Sequence, residues 1–314
     1  MTPSTSPPGP PLVVEGAVKR YGAVEALAGA SLTLQAGELV GLLGPNGAGK
    51  TTMINAIAGR VKLDAGAVRL FGRSLARDDK RPELGVVPQE LAIYPLLTAR
   101  ENLEAFGRLY GVSGVDVKSR VDWALEWSDL KDRARDLTKR FSGGMKRRLN
   151  IACGLVHQPS LVLLDEPTVG VDPQSRERIY EMLDALRRAG VSILLTTHHL
   201  EEAERRCERV VIIDRGKIVA AGTVQDLVTS TLGTARTLRI TLAQPLPTAV
   251  AVPAGAAIDE SRRTLTAQVH DVGNEVGRLL SGVSGAHGEV IDVAIAGSTL
   301  QDVFIKLTGR ELRE

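Results

Sequence analysis

The chain is poor in sulfur, nearly balanced in charge and free of long apolar runs. Its two cysteines, Cys153 and Cys207, lie far apart with no C-x-x-C pattern, which argues against a disulfide framework. Both fall in stretches that read as apolar helix, so each is expected to be a small buried thiol in a reducing compartment. A net charge of +2 with 24% charged residues gives no electrostatic case for nucleic acid or an acidic partner. Nowhere does an apolar run reach the roughly 18 residues that a bilayer-crossing helix needs. A soluble chain is expected, with any membrane role borrowed from a partner. Residues 1–11 are rich in Pro, Ser, Thr and Gly and lack a basic-plus-apolar segment; they read as a disordered tail and not a signal peptide. There is no internal repeat.

What is present is length and alternation. A chain of 314 residues has room for two domains and a sizeable core. From Leu12 to about Leu232, short Val/Leu/Ile-rich runs alternate with amphipathic helical spacing. Leu39–Leu43, Leu161–Leu164 and Ser192–Thr196 are nearly continuous in apolar residues, as strands buried on both faces of a parallel sheet must be. That pattern predicts an α/β fold with ligands at the carboxyl ends of the strands. A helical subdomain is expected at about 90–158, and a hairpin around Asp214-Arg215-Gly216-Lys217. Past Gly233 the texture changes to a small α+β domain over 233–314. Its predicted strands are Thr237–Leu242, Thr264–Val269 and Val290–Ala294, its predicted helices Asn274–Leu280 and Thr299–Thr308, and Pro245 to Ala257 reads as a connector.

Between the first buried strand and a helix lies Gly44-Pro45-Asn46-Gly47-Ala48-Gly49-Lys50-Thr51-Thr52, which fits the phosphate-loop template G-x-x-x-x-G-K-[ST]. Glycines let backbone N–H groups turn toward a polyphosphate, and the helix start adds a positive dipole end. Lys50 reaches the β- and γ-phosphates, and the Thr51 hydroxyl can ligate Mg²⁺. A second acidic element follows at Leu161-Val162-Leu163-Leu164-Asp165-Glu166. There Asp165 is placed to reach the metal shell and Glu166 to accept a proton from attacking water. The bland alternative is a helix N-cap before Pro167-Thr168.

Phe141-Ser142-Gly143-Gly144-Met145, just ahead of that strand, resembles the signature motif of the ATP-binding cassette (ABC) transporter ATPases. The resemblance covers Leu12 to about Leu232 and implies a P-loop NTPase cassette with a mostly parallel sheet and an inserted helical subdomain. It also implies ATP and Mg²⁺ as cofactors. Gln89 matches the Q-loop, Val169-Gly170-Val171-Asp172 the D-loop, Thr196-Thr197-His198 the H-loop, and Tyr21 the aromatic that stacks on adenine. His199 is the neighbouring candidate for the H-loop histidine. The implied nucleotide contacts are Tyr21, Gly44, Asn46, Gly47, Gly49, Lys50, Thr51, Thr52, Gln89, Ser142, Gly143, Gly144 and Asp172. Thr51, Gln89 and Asp165 would hold the metal, and Glu166 and His198 would be catalytic.

Ser142 and the amides of Gly143 and Gly144 open another helix. One ATP cannot meet two such helix starts in different subdomains of one fold. The family's arrangement therefore implies a second cassette, a homodimer with two ATPs sandwiched head to tail. It also implies a separate transmembrane permease that holds the chain at the inner face of the cell membrane, in the cytoplasm. The apolar stretch Leu91 to Leu97 reads either as helical-subdomain core or as a groove for that permease. Phe141, Met145 and Val169-Gly170-Val171 depart from the commonest family pattern. Together with Leu300 to Leu312 they resemble the drug-resistance export branch, of the daunorubicin type. A soluble cassette ATPase acting on nucleic acid or ribosomes is the alternative, but there is one of each motif and no heptad run. The basic cluster Lys139-Arg140 and Lys146-Arg147-Arg148 reads as a solvated helix face and not a nucleic-acid site. A guanine-specific switch would need an Asn-Lys-x-Asp element, which is missing.

Overall fold

The computed structural model describes residues 9–75, 79–234, 236–248, 250, 252–285 and 288–309. In chain order the first elements are β1 (Leu12–Tyr21), β2 (Val24–Leu34), β3 (Leu39–Leu43), α1 (Lys50–Ile57), β4 (Ala65–Leu70), β5 (Arg73–Ser74) and β6 (Leu84–Val87). There follow α2 (Ala99–Leu109), α3 (Gly114–Trp127), α4 (Gly143–Leu155), β7 (Leu161–Asp165), α5 (Pro173–Arg188), β8 (Ser192–Thr197), α6 (Leu200–Arg206), β9 (Arg209–Asp214) and β10 (Lys217–Gly222). The last are α7 (Val224–Leu232), β11 (Arg236–Leu242), β12 (Ala256–Ile258), β13 (Thr264–Val269), α8 (Val272–Gly285), β14 (Val290–Gly297) and α9 (Leu300–Thr308).

The functional sheet has the order β10-β9-β3-β8-β7-β6. Five of its six strands, β9 to β6, run parallel, and β10 closes one edge as the antiparallel arm of the expected hairpin. Strands β3, β7 and β8 are buried at every position, which explains their nearly continuous apolar sequence. Because β3 lies beside β8 and β8 beside β7, the three strands end side by side at Leu43, Asp165 and Thr197.

The expectation of strand–helix alternation from Leu12 onward needs correction. The first two strands form a hairpin that pairs with β4 and β5 in a separate antiparallel sheet, order β2-β1-β4-β5. Its apolar residues, among them Leu12, Val14, Leu27 and Leu34, join Val40, Leu42, Met53, Ile54, Leu163 and Leu194 in one core. The helices α2, α3 and α4 enclose a second core around Leu103, Val121, Leu125, Leu149 and Val156. Capping explains where these helices begin. Thr98 and Glu101 form a reciprocal capping box on α2, and Ser113 caps α3.

The chain divides into two compact units after Thr223, so α7 groups with the second unit although the sequence reading placed it in the first. The second unit holds a sheet of order β12-β13-β11-β14 with its own core, including Leu238, Ile240, Leu265, Val269, Leu279 and Val283. Strand β12 lies at the end of the stretch read as a connector. Of the tail expected over 1–11, residues 1–8 lie outside the described residues. Cys153 sits in α4 as expected, whereas Cys207 follows α6 in extended backbone; both thiols are buried and free. No described helix is long and apolar enough to cross a membrane.

Candidate functional site

The loop between β3 and α1 can be built only with glycine at its two tightest points. A Cβ on Gly44 would lie 2.3 Å from the Ile213 carbonyl oxygen, and one on Gly49 would lie 2.4 Å from that of Ala26. Gly49 also takes a φ of 110°, a conformation side chains rarely adopt. Lys50 begins the helix and folds back over the loop, its Nζ donating to the carbonyls of Gly44 at 2.6 Å and Pro45 at 3.3 Å. It is 5% exposed. Burial pulls its pKa down, against the opposing charges of Glu166 and Asp165.

The facing wall comes from β7 and β8. Asp165 pairs in register with Thr196, whose Oγ1 donates to Asp165 Oδ1 at 2.6 Å and accepts the Glu166 N–H at 2.9 Å. One buried hydroxyl therefore fixes two consecutive acidic residues. Glu166 has a φ of 47°, an uncommon backbone state for a non-glycine residue and one concentrated at functional sites. Its Oε1 lies 3.6 Å from Lys50 Nζ and its Oε2 lies 3.2 Å from His198 Nδ1. The latter pair is in contact without hydrogen-bond geometry. The N-cap alternative for Asp165-Glu166 does not apply, because the next helix begins at Pro173 and Asp172 caps it.

Lys50, Glu166 and His198 face a cleft of about 510 Å³, lined also by Tyr21, Asn46, Gly47, Gly49, Thr51, Thr52 and Gln89, with Val24, Ala26, Pro45 and Val169. Tyr21 ends β1 and is 49% exposed, and the Lys19 ammonium lies 5.4 Å from its ring centroid. Of the two histidines, His198 lines the cleft; the backbone N–H of His199 donates to Thr197 Oγ1 at the start of α6. Oxygen donors at Thr51, Gln89 and Asp165 are the hard ligands that suit Mg²⁺. Among the described residues no group of three His, Cys, Asp or Glu side chains is placed to hold a metal ion.

Five expected nucleotide contacts do not line this cleft, Gly44 and four others, and neither does the expected metal ligand Asp165. Ser142, Gly143, Gly144 and Asp172 gather where α4 and α5 begin. Ser142 is exposed and caps α4 by accepting the Met145 N–H at 3.2 Å. Asp172 caps α5 by accepting the Ser175 N–H at 2.9 Å, and that bond holds its carboxyl below the usual range. A Cβ on Gly144 would lie 2.0 Å from Ser175 Oγ, so the two helix starts approach this closely only because residue 144 is glycine.

Two further residues hold the site together in ways that their sequence positions do not reveal. Thr196 is one, its hydroxyl meaningful only once β8 lies beside β7. Arg147 is the other, read as part of a solvated basic face yet 6% exposed. Its Nη1 donates to the Gln89 carbonyl at 2.7 Å and thereby fixes the backbone of the Gln89 loop from α4.

A glycine phosphate loop, an acidic strand end and a strand-end histidine on one parallel sheet define an ATP-hydrolysing P-loop cassette. Comparison with known proteins agrees. Residues 27–169 match the family described as ABC transporter. The linearmycin resistance ATP-binding protein LnrL of Bacillus subtilis is 38% identical, over 96% of this chain and all of that protein. The daunorubicin/doxorubicin resistance ATP-binding protein DrrA of Streptomyces peucetius is 37% identical, over 94% of this chain and 91% of that protein. Among solved structures, an ATP-binding subunit of an ABC transporter superposes with a TM-score of 0.64 at 32% identity, covering 70% of this chain and 92% of its own. A bacterial ABC transporter cassette solved as a dimer gives a TM-score of 0.62 at 28% identity, over 68% and 98%. The chain belongs to the ABC transporter ATP-binding subunits and is an ABC-type ATPase.

Proposed function

We propose that this ATPase drives export of a hydrophobic compound, such as a drug or a lipid, through a separate transmembrane permease. It would work as a head-to-tail pair of cassettes at the inner face of the cell membrane. The observation that carries the reading is the division of the phosphate-binding parts. Lys50, Glu166 and His198 share one cleft, whereas the exposed helix start at Ser142 and Gly143 opens elsewhere. A second copy would bring its Ser142-Gly143-Gly144 amides to the γ-phosphate held by Lys50 of the first, sealing ATP between them.

In this reading Tyr21 stacks on adenine and the amides of Gly47 to Thr52 surround the phosphates. Asp172 reaches the shared interface. Mg²⁺, held by Thr51, Gln89 and Asp165, would neutralise charge on the β- and γ-phosphates. Glu166 accepts the proton of the attacking water, and His198, in contact with its Oε2, holds the carboxylate in line. Closure of the pair requires tighter nucleotide binding in the closed state than in the open one. The permease would dock at the mainly apolar groove formed by Tyr94, Leu97, Ala105, Arg108 and Leu109, near the 74% exposed Leu96. The export direction is supported by the likeness to resistance proteins over nearly their full length.

The test is Glu166→Gln, which keeps shape and removes the base. ATP binding is expected to stay native while turnover falls by about 10²-fold or more, the scale of a positioned general base. Native turnover in single-turnover hydrolysis would eliminate Glu166 from the role.

A further inference from the structure

Behind the cleft, Glu202 on α6 gathers donors from the segment that follows Glu166. Its side chain is only 12% exposed. Oε2 accepts the Thr168 hydroxyl at 3.1 Å and the Tyr180 hydroxyl at 2.5 Å, and Oε1 pairs with Arg176 Nη1 at 2.8 Å. Burial, with the bond to Glu202, pushes the Tyr180 hydroxyl far above its ordinary range and keeps it a donor. Thr168, itself 1% exposed, stands two residues after Glu166, and its carbonyl accepts the Val171 N–H at 3.3 Å. Arg176 reaches back to the Val171 carbonyl at 3.4 Å. One carboxylate thus ties the turn from Glu166 to Val171 to the helix that begins two residues after His198.

Such anchoring has a purpose at this place. The left-handed backbone of Glu166 persists only if its surroundings hold it there. Thr196 holds the N–H side, and on the other side the nearest side-chain anchor is Thr168 with Glu202. For packing alone, an apolar group of the same size would serve as well as a buried carboxylate.

We propose that Glu202 is a positioning residue for hydrolysis, clamping the Glu166 turn to the helix behind His198 so that the two side chains keep their contact at the cleft. This rests on the roles given above to Glu166 and His198. Glu202 touches neither nucleotide nor water and acts through Thr168.

The experiment compares Thr168→Val with Thr168→Ser, because each stays close to native shape and only one loses the hydroxyl. Thr168→Val is expected to lower kcat by about 10- to 100-fold, the scale of a small misplacement of reacting groups. KM for ATP should stay within about 2-fold, and Thr168→Ser should restore kcat. Adding Thr168→Val to Glu202→Ala should cost nothing further, since both remove one shared contact. Native kcat in Thr168→Val, equal losses in both Thr168 variants, or losses that multiply in the double variant would overturn the proposal. Should Glu202→Ala fail to fold, the Thr168 pair decides alone. Full turnover in Glu166→Gln would instead remove the underlying assignment of the base; an inactive Glu166→Gln beside a native Thr168→Val would remove only the clamp.

Discussion

Thr196→Val isolates the buried hydroxyl on which the acidic strand end depends. Valine keeps the shape of threonine, so the change removes polarity and little volume. Thr196 is fully buried and makes two bonds, a charge-assisted one to Asp165 at 2.6 Å and one from the Glu166 N–H at 2.9 Å. Loss of the first, with an amide left unpaired, costs about 2–4 kcal/mol together. For a unit of this size that is about 5–15 °C in the midpoint of thermal unfolding. Thr197→Val is the internal control, since its hydroxyl makes one neutral bond, from the His199 N–H at 3.0 Å, worth about 1 kcal/mol. Differential scanning calorimetry of both variants checks the ordering. A Thr196→Val midpoint within about 1 °C of the native one would refute the claim that this hydroxyl organises the acidic pair.

Lys50→Ala should weaken ATP binding by about 10- to 100-fold, the scale of a lost charge-assisted phosphate contact, in a titration with a fluorescent ATP analogue; unchanged affinity would count against the phosphate-loop role. His157 gives a pH prediction. Burial, eased only partly by its bond to the Leu84 carbonyl, lowers its pKa from 6.5 to about 4. The folded state thus favours the neutral ring, so its stabilisation is full above pH 6.5 and is lost as pH falls toward about 4. Denaturant unfolding at several pH values should show this acid-side loss, and His157→Gln should flatten it.

The chemistry-bearing loops were legible in the sequence because each is local. The phosphate loop needs the eight consecutive residues Gly44 to Thr51, and the acidic strand end needs an apolar run with two carboxylates after it. The antiparallel sheet was not legible, because β1 and β2 alternate irregularly between buried and exposed positions through register shifts at Val14, Ala17 and Lys19. Such a pattern resembles neither a buried strand nor a helix. The roles of Thr196, Arg147 and Glu202 were hidden for another reason. Their partners Asp165, Gln89 and Thr168 are distant in sequence and become neighbours only through strand order and helix placement. Cys207 was misplaced because the apolar texture around it belongs to the start of β9 and not to α6.

Sedimentation of Glu166→Gln with and without ATP would show whether the nucleotide is sealed between two copies. Without nucleotide the chain should sediment near its own mass of 33.5 kDa. With ATP it should sediment at twice that mass, and a bulky or acidic replacement of Ser142 should prevent the change. A species that stays at the single-chain mass with ATP fully bound would rule out the shared nucleotide.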